Sequence, residues 1–82
     1  MNGVKVLLFG KAREIAGAPE IRVSAPPGAT TASILETIVG LHPGLGEWKE
    51  HLRIAVNGEY ADAERAVSSA DEVALIPPVS GG

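Results

Sequence analysis

A single long amphipathic segment, residues 31–41, is the feature that most constrains the fold of this 82-residue chain. Its apolar residues recur at helical spacing: Ile34, Leu35, Ile38 and Val39. Thr30 is a favourable N-cap, and Pro43 lies just beyond the expected C-terminal end of the helix. A chain of this length forms one small domain, so the apolar side of a single helix has to pack on a sheet.

Five short runs have the length and composition of β-strands. They are residues 4–9, 20–24, 52–56, 59–61 and 73–76. The third and fourth runs flank Asn57-Gly58, the strongest short sequence signal for a two-residue hairpin turn. A short helical turn over residues 11–16, closed by Gly17, separates the first two runs. We therefore predict an α+β domain, with a mixed sheet of about five strands and one main helix across one face. Residues 44–51 are expected to form a loop with one helical turn, which Trp48 anchors to the core.

The segment after the last predicted strand differs in character from the rest of the chain. Pro77 and Pro78 cannot donate to a sheet ladder, so they stop the strand. Val79, Ser80, Gly81 and Gly82 follow. We predict a domain over residues 1–78 and a flexible tail over residues 79–82. Because the two glycines lack side chains, this tail can enter a narrow slot in another protein and present the carboxylate of Gly82.

Charge and composition exclude several classes of function. The net charge of −3 disfavours nucleic acid and anionic membranes as partners. The absence of cysteine excludes disulfides and thiolate chemistry, and the spacing of His42 and His51 matches no metal site, so we predict no bound metal. With no leader sequence and no apolar run near 18 residues, the expected location is the cytoplasm.

Three apolar residues are predicted to form a docking surface. Strand alternation places Phe9 and Ile76 on the same outward face if the first and last strands are neighbours, and Tyr60 beside the hairpin turn can join them. Scattered apolar residues are normal on protein surfaces. A cluster beside the tail is better explained as a partner-binding site. We predict that Phe9, Tyr60 and Ile76, together with Pro77 and Pro78, contact a partner protein.

Three stretches carry a resemblance to a known family. Residues 6–14 read Val-Leu-Leu-Phe-Gly-Lys-Ala-Arg-Glu, residues 55–60 read Ala-Val-Asn-Gly-Glu-Tyr, and residues 71–82 read Asp-Glu-Val-Ala-Leu-Ile-Pro-Pro-Val-Ser-Gly-Gly. Together they span the domain and resemble the MoaD family, the sulfur-carrying small subunits of molybdopterin synthase. The last six residues are the most specific part. Residues 68–71 depart from the glycine-containing turn that is more usual in the family, which affects loop conformation rather than chemistry.

The resemblance implies both a fold and a reaction. The fold is the β-grasp, or ubiquitin-like, fold, in which the first and last strands lie side by side and parallel. An E1-like, MoeB-like adenylyltransferase would use ATP to adenylate the carboxylate of Gly82, and sulfur would replace AMP to leave a thiocarboxylate. The tail would then enter the MoaE-like large subunit of a heterotetramer and donate sulfur to cyclic pyranopterin monophosphate, forming molybdopterin. The chain itself would bind no cofactor and act as a non-catalytic sulfur donor.

Two alternative functions share the Gly-Gly ending. One is a ThiS-like sulfur carrier of thiamine synthesis, although those carriers lack the Pro-Pro-Val-Ser run. The other is a ubiquitin-like modifier that is conjugated to lysines. The role of Arg13 and Glu14 stays unassigned.

Overall fold

The computed structural model describes residues 3–77, so Pro78 and the predicted tail over residues 79–82 lie outside the described residues. The strands are β1 (Gly3–Leu8), β2 (Glu20–Ser24), β3 (Arg53–Val56), β4 (Glu59–Ala61) and β5 (Val73–Ile76). The helices are α1 (Gly10–Ala16), α2 (Thr31–Leu41) and a 3₁₀ helix (Pro43–His51). Among these helices, none is long and apolar enough to cross a membrane.

The five strands form one mixed sheet in the order β2-β1-β5-β3-β4. β1 and β5 pair in parallel, and the other neighbouring pairs are antiparallel. One main helix, α2, covers one face of this sheet. The predicted α+β class and β-grasp fold are therefore confirmed, including the parallel pairing of the first and last strands.

The core lies between α2 and the inner face of the sheet. Helix α2 begins with a capping box, in which the Ser33 backbone N–H donates to Thr30 Oγ1 and the Thr30 backbone N–H donates to Ser33 Oγ. Ile34 and Ile38, one helical turn apart, are buried against alternate residues of the strands. These strand residues include Val4, Val6, Leu8, Val73 and Leu75, all fully buried. Within residues 3–77, no helix packs on the other face of the sheet.

The segment between α2 and β3 differs from the predicted loop. It forms a 3₁₀ helix, and Leu45 is its fully buried residue, whereas Trp48 is only partly buried and packs against the margin of the core. The predicted contact of Trp48 with the core is confirmed, and Leu45 is a further, fully buried anchor that was not singled out from the sequence. Gly44 allows the close packing here, since a β-carbon on it would lie 3.0 Å from Ile15 Cγ2. The large indole is harder to enclose completely than a leucine.

The β3–β4 hairpin is fastened to the loop that precedes β5. Asn57 and Gly58 have φ of 53° and 85°, as a two-residue turn of this kind requires. The Asn57 side chain donates to Asp71 Oδ1 at 3.0 Å and accepts from the Glu72 backbone N–H at 2.9 Å. The Asp71 carboxylate also accepts from the Ser68 backbone N–H at 2.8 Å. The hydrogen bond from the Ser68 N–H has the largest effect in lowering the pKa of Asp71, and the bond from the Asn57 side chain lowers it further.

Candidate functional site

The strand register brings small and apolar residues into one row on the outer face of the sheet. Leu7 on β1 is opposite Ala74 on β5, and Ala74 is opposite Ala55 on β3. Ala55 is in turn opposite Tyr60 on β4. The row crosses four strands, and its two central positions are alanines. Small side chains at the centre leave a shallow apolar floor between larger side chains on either side.

Phe9 and Ile76 lie beside this row and complete a surface depression of about 350 Å³. Its apolar residues, which we call the outer apolar patch, are Leu7, Phe9, Ala55, Tyr60, Ala74 and Ile76. Phe9 is 49% exposed and Tyr60 is 67% exposed. Phe9 follows β1 directly and has extended backbone before α1 begins, so its side chain keeps the outward direction predicted by strand alternation. The structure therefore brings together the three apolar residues singled out from the sequence.

Pro77 marks the point where the chain leaves the sheet. It follows Ile76 of the outer apolar patch directly and is partly buried. Its ring packs close to Gly10, where a β-carbon would lie 3.1 Å from Pro77 Cγ. Gly10 has a φ of 51°, a conformation that favours glycine. The residues predicted to carry the chemistry, from Val79 to Gly82, lie outside the described residues, but the chain enters that segment from the border of the outer apolar patch.

Arg53, which was not singled out from the sequence, lies at the boundary between the outer apolar patch and a larger groove that it helps to line. It precedes Ala55 by two positions on β3, so alternation places it on the same outer face. Its cross-strand neighbour is Ile76. Its guanidinium carbon lies 5.9 Å from the centroid of the Tyr60 ring, within the range of a cation–π interaction. Strand alternation together with the register could have found this residue.

A larger groove of about 720 Å³ lies on the other side of Tyr60, between α2, the 3₁₀ helix and the β3–β4 edge. Lys49 and Glu36 form an ion pair across it, and the hydrogen bond from Lys49 lowers the pKa of Glu36. The groove is lined by residues of both charges. Across residues 3–77, no three His, Asp or Glu side chains are grouped closely enough to hold a metal ion.

Sequence comparisons match almost the whole chain to known proteins. The family model described as the ThiS family matches residues 6–82. A molybdopterin synthase sulfur carrier subunit from Arabidopsis thaliana is 42% identical over 79 residues, covering 96% of this chain and 82% of the relative. Small archaeal modifier protein 1 from Haloferax volcanii is 40% identical over 83 residues, covering 92% of this chain and 95% of the relative.

Structural comparisons agree with the sequence comparisons. The crystal structure of the Haloferax volcanii modifier superimposes with a TM-score of 0.84 at 38% identity, covering 98% of this chain and 99% of that one. A chain from a complex of subunits 1 and 2 of the molybdopterin-converting factor of Helicobacter pylori superimposes with a TM-score of 0.67 at 28% identity. That match covers 98% of this chain and 99% of the other.

Proposed function

The chain belongs to the MoaD/ThiS family of ubiquitin-like sulfur carriers, and we propose that it is the sulfur carrier subunit of a molybdopterin synthase. In this role it would dock on a large subunit through the outer apolar patch and present Gly82 as a thiocarboxylate. Support comes from the Arabidopsis thaliana relative and from the Helicobacter pylori complex of subunits 1 and 2 of the molybdopterin-converting factor.

The observation that carries the proposal is the position of the outer apolar patch beside the exit of the chain from β5. Ile76 belongs to the patch, and Pro77 follows it at the border of the same surface. A partner that covers the patch therefore lies beside the start of the tail. Burying Phe9 and Tyr60 against the partner supplies binding energy. The tail has no bulky side chain after Val79, so it can extend further into the partner.

The proposed chemistry belongs to the carboxylate of Gly82. A carboxylate is a poor electrophile, so an E1-like enzyme first joins one of its oxygens to the α-phosphate of ATP, releasing pyrophosphate. A sulfur nucleophile then attacks the carbonyl carbon, and AMP leaves with that oxygen. Glycine suits this position, because it lacks the β-carbon that would obstruct the attack. The resulting thiocarboxylate sulfur is the nucleophile that would be delivered to cyclic pyranopterin monophosphate in the large subunit.

The proposal is tested by isolating the protein from its native host and measuring its intact mass. We expect a species heavier by the exchange of one oxygen for sulfur, with the change located at Gly82 by fragmentation. The purified thiocarboxylate, mixed with the large subunit and cyclic pyranopterin monophosphate, should form molybdopterin. The unmodified carboxylate form is the matched control and should form none. A thiocarboxylate that is inactive here but supports thiazole formation would instead identify a thiamine-type carrier.

Protein modification is a second candidate function, because the relative from Haloferax volcanii is a modifier of nearly equal similarity. In this case the activated Gly82 carboxyl would form an isopeptide bond with a lysine of a target protein. Arg65 is the last basic residue of the sequence, so trypsin would leave residues 66–82 attached to each modified lysine. Finding that remnant on other proteins of the host would establish modification. Its absence under conditions that yield the thiocarboxylate would favour the carrier function alone.

A further inference from the structure

We propose that Arg53 determines the specificity of the outer apolar patch, and that the large subunit presents a carboxylate to it in the docked complex. The inference rests on the proposed function and adds the chemistry of the partner surface. It combines two observations, the location of Arg53 at the edge of the patch and the way in which its guanidinium is held.

The guanidinium of Arg53 is positioned on the outer face by its neighbours. Tyr60 lies beneath it, with 5.9 Å between the guanidinium carbon and the ring centroid, and Ile76 is its cross-strand partner. A cation–π contact of this length favours an arginine that stays on the outer face, and it leaves the guanidinium N–H groups free to donate. Two residues of the outer apolar patch thus support the arginine, so a partner that covers the patch will meet it.

Within residues 3–77, no acidic side chain forms an ion pair with Arg53. The only ion pair in that part of the chain joins Lys49 and Glu36. Asp62, which follows β4, forms no ion pair with Arg53, and its Oδ1 accepts a hydrogen bond from the Glu64 backbone N–H. In the free protein, water therefore satisfies the N–H groups of Arg53, and the interaction with Tyr60 replaces only part of that hydration.

Docking removes water from the N–H groups of Arg53, because the partner covers the outer apolar patch at whose edge the arginine lies. A charge that loses water without gaining a hydrogen-bonding partner weakens binding. A carboxylate is the partner that fits best, since its two oxygens match the parallel N–H groups of a guanidinium. The geometry thus favours a large subunit with an Asp or Glu opposite Arg53, and it disfavours a purely apolar or a basic surface there.

The test compares Arg53→Leu and Arg53→Glu with wild type, and uses Arg22→Glu as the matched control. Arg22 is an exposed arginine on the outer face of β2, three strands away from β3, and it has Lys5 rather than an aromatic ring as its cross-strand partner. Affinity for the purified large subunit is measured by titration calorimetry at low and high salt, and folding is checked by thermal melts. Because the replaced side chains are exposed, the variants should melt close to wild type.

We expect Arg53→Leu to weaken binding about tenfold and Arg53→Glu by at least about a hundredfold, with the larger loss at low salt. Arg22→Glu should stay within about threefold of wild type. Leucine would enlarge the apolar surface. Wild-type or tighter binding by Arg53→Leu would therefore overturn this inference but leave the proposed function standing. Equal losses in Arg53→Glu and Arg22→Glu would also overturn it, because the effect would then be one of net charge. If the folded wild-type carrier fails to bind the large subunit, the proposed function itself is refuted, and this inference with it.

Discussion

Replacing Phe9 by alanine should weaken binding to the large subunit by about 2 kcal/mol while costing the fold much less than a core substitution. Phe9 is 49% exposed in the free chain. An aromatic side chain buries about 150–250 Å² when it is enclosed, so roughly 100 Å² of Phe9 is left for a partner to cover. At about 25 cal/mol per Å², this area contributes about 2.5 kcal/mol on docking. Alanine retains the β-carbon, and a loss of about 2 kcal/mol corresponds to a roughly 30-fold weaker complex.

Titration calorimetry and thermal melts on matched variants measure the two effects separately. Leu41→Ala is the control for binding, because Leu41 is 57% exposed at the C-terminal end of α2, the helix that packs on the opposite face of the sheet. It should bind like wild type. Leu75→Ala is the control for stability, because Leu75 is fully buried and its truncation should cost about 2–5 kcal/mol. The reasoning is refuted if Phe9→Ala melts as low as Leu75→Ala and still binds normally, since Phe9 would then act as a core residue.

Three further predictions concern the tail, a loop and a helix cap. Deleting Gly82 should leave melting and large-subunit binding unchanged but prevent sulfur transfer, because one extended residue spans about 3.3–3.6 Å and a 1 Å misplacement can cost about a hundredfold in rate; near-normal molybdopterin formation by the deletion variant would contradict this. The lowered pKa of Asp71 means that its stabilising contribution is present above the ordinary aspartate pKa and is lost as the pH falls through the lower folded value. Urea melts of wild type and Asp71→Asn should therefore differ by a constant amount at neutral pH, and the difference should shrink as the pH falls below the ordinary aspartate pKa of about 3.9 and through the lower folded value. A difference that stayed constant through that fall in pH would assign the effect to something other than ionisation. Thr30→Ala should cost about 1 kcal/mol by removing the N-cap of α2, and Thr30→Ser, which keeps the hydroxyl, should cost less in the same urea melts.

The elements that could be predicted from the sequence depend on local signals. Helix α2 occupies residues 31–41 as expected, because Thr30 caps it and its apolar residues have one helical period. The hairpin at Asn57-Gly58 forms because both residues tolerate positive φ. Strand alternation also predicted that Phe9 and Ile76 would share a face, once the first and last strands were placed side by side. That placement came from the family resemblance, since non-local pairing leaves little trace in a single sequence.

The residues that were missed depend on packing between distant segments. Trp48 packs against the core as expected, but Leu45, the fully buried residue of the 3₁₀ helix, was not singled out from the sequence. The bonds of Asp71 to Ser68 and to Asn57, fourteen residues away, require the folded hairpin, so the sequence alone does not reveal them. Arg53 gains interest only beside Tyr60, a pairing that depends on the register of β3 and β4.

The central location of β5 has a consequence for how the protein is made. β5 is the last of the strands within residues 3–77, yet it lies in the middle of the sheet and pairs with both β1 and β3. A nascent chain that stopped before Val73 would leave two strands with unpaired edges and α2 without two buried contacts, Val73 and Leu75. During translation, the five strands can pair completely only after β5 has emerged from the ribosome. Chains that terminate before Val73 would thus have an incomplete sheet and be open to proteolysis. They would be degraded before they could compete with the intact protein for its partners.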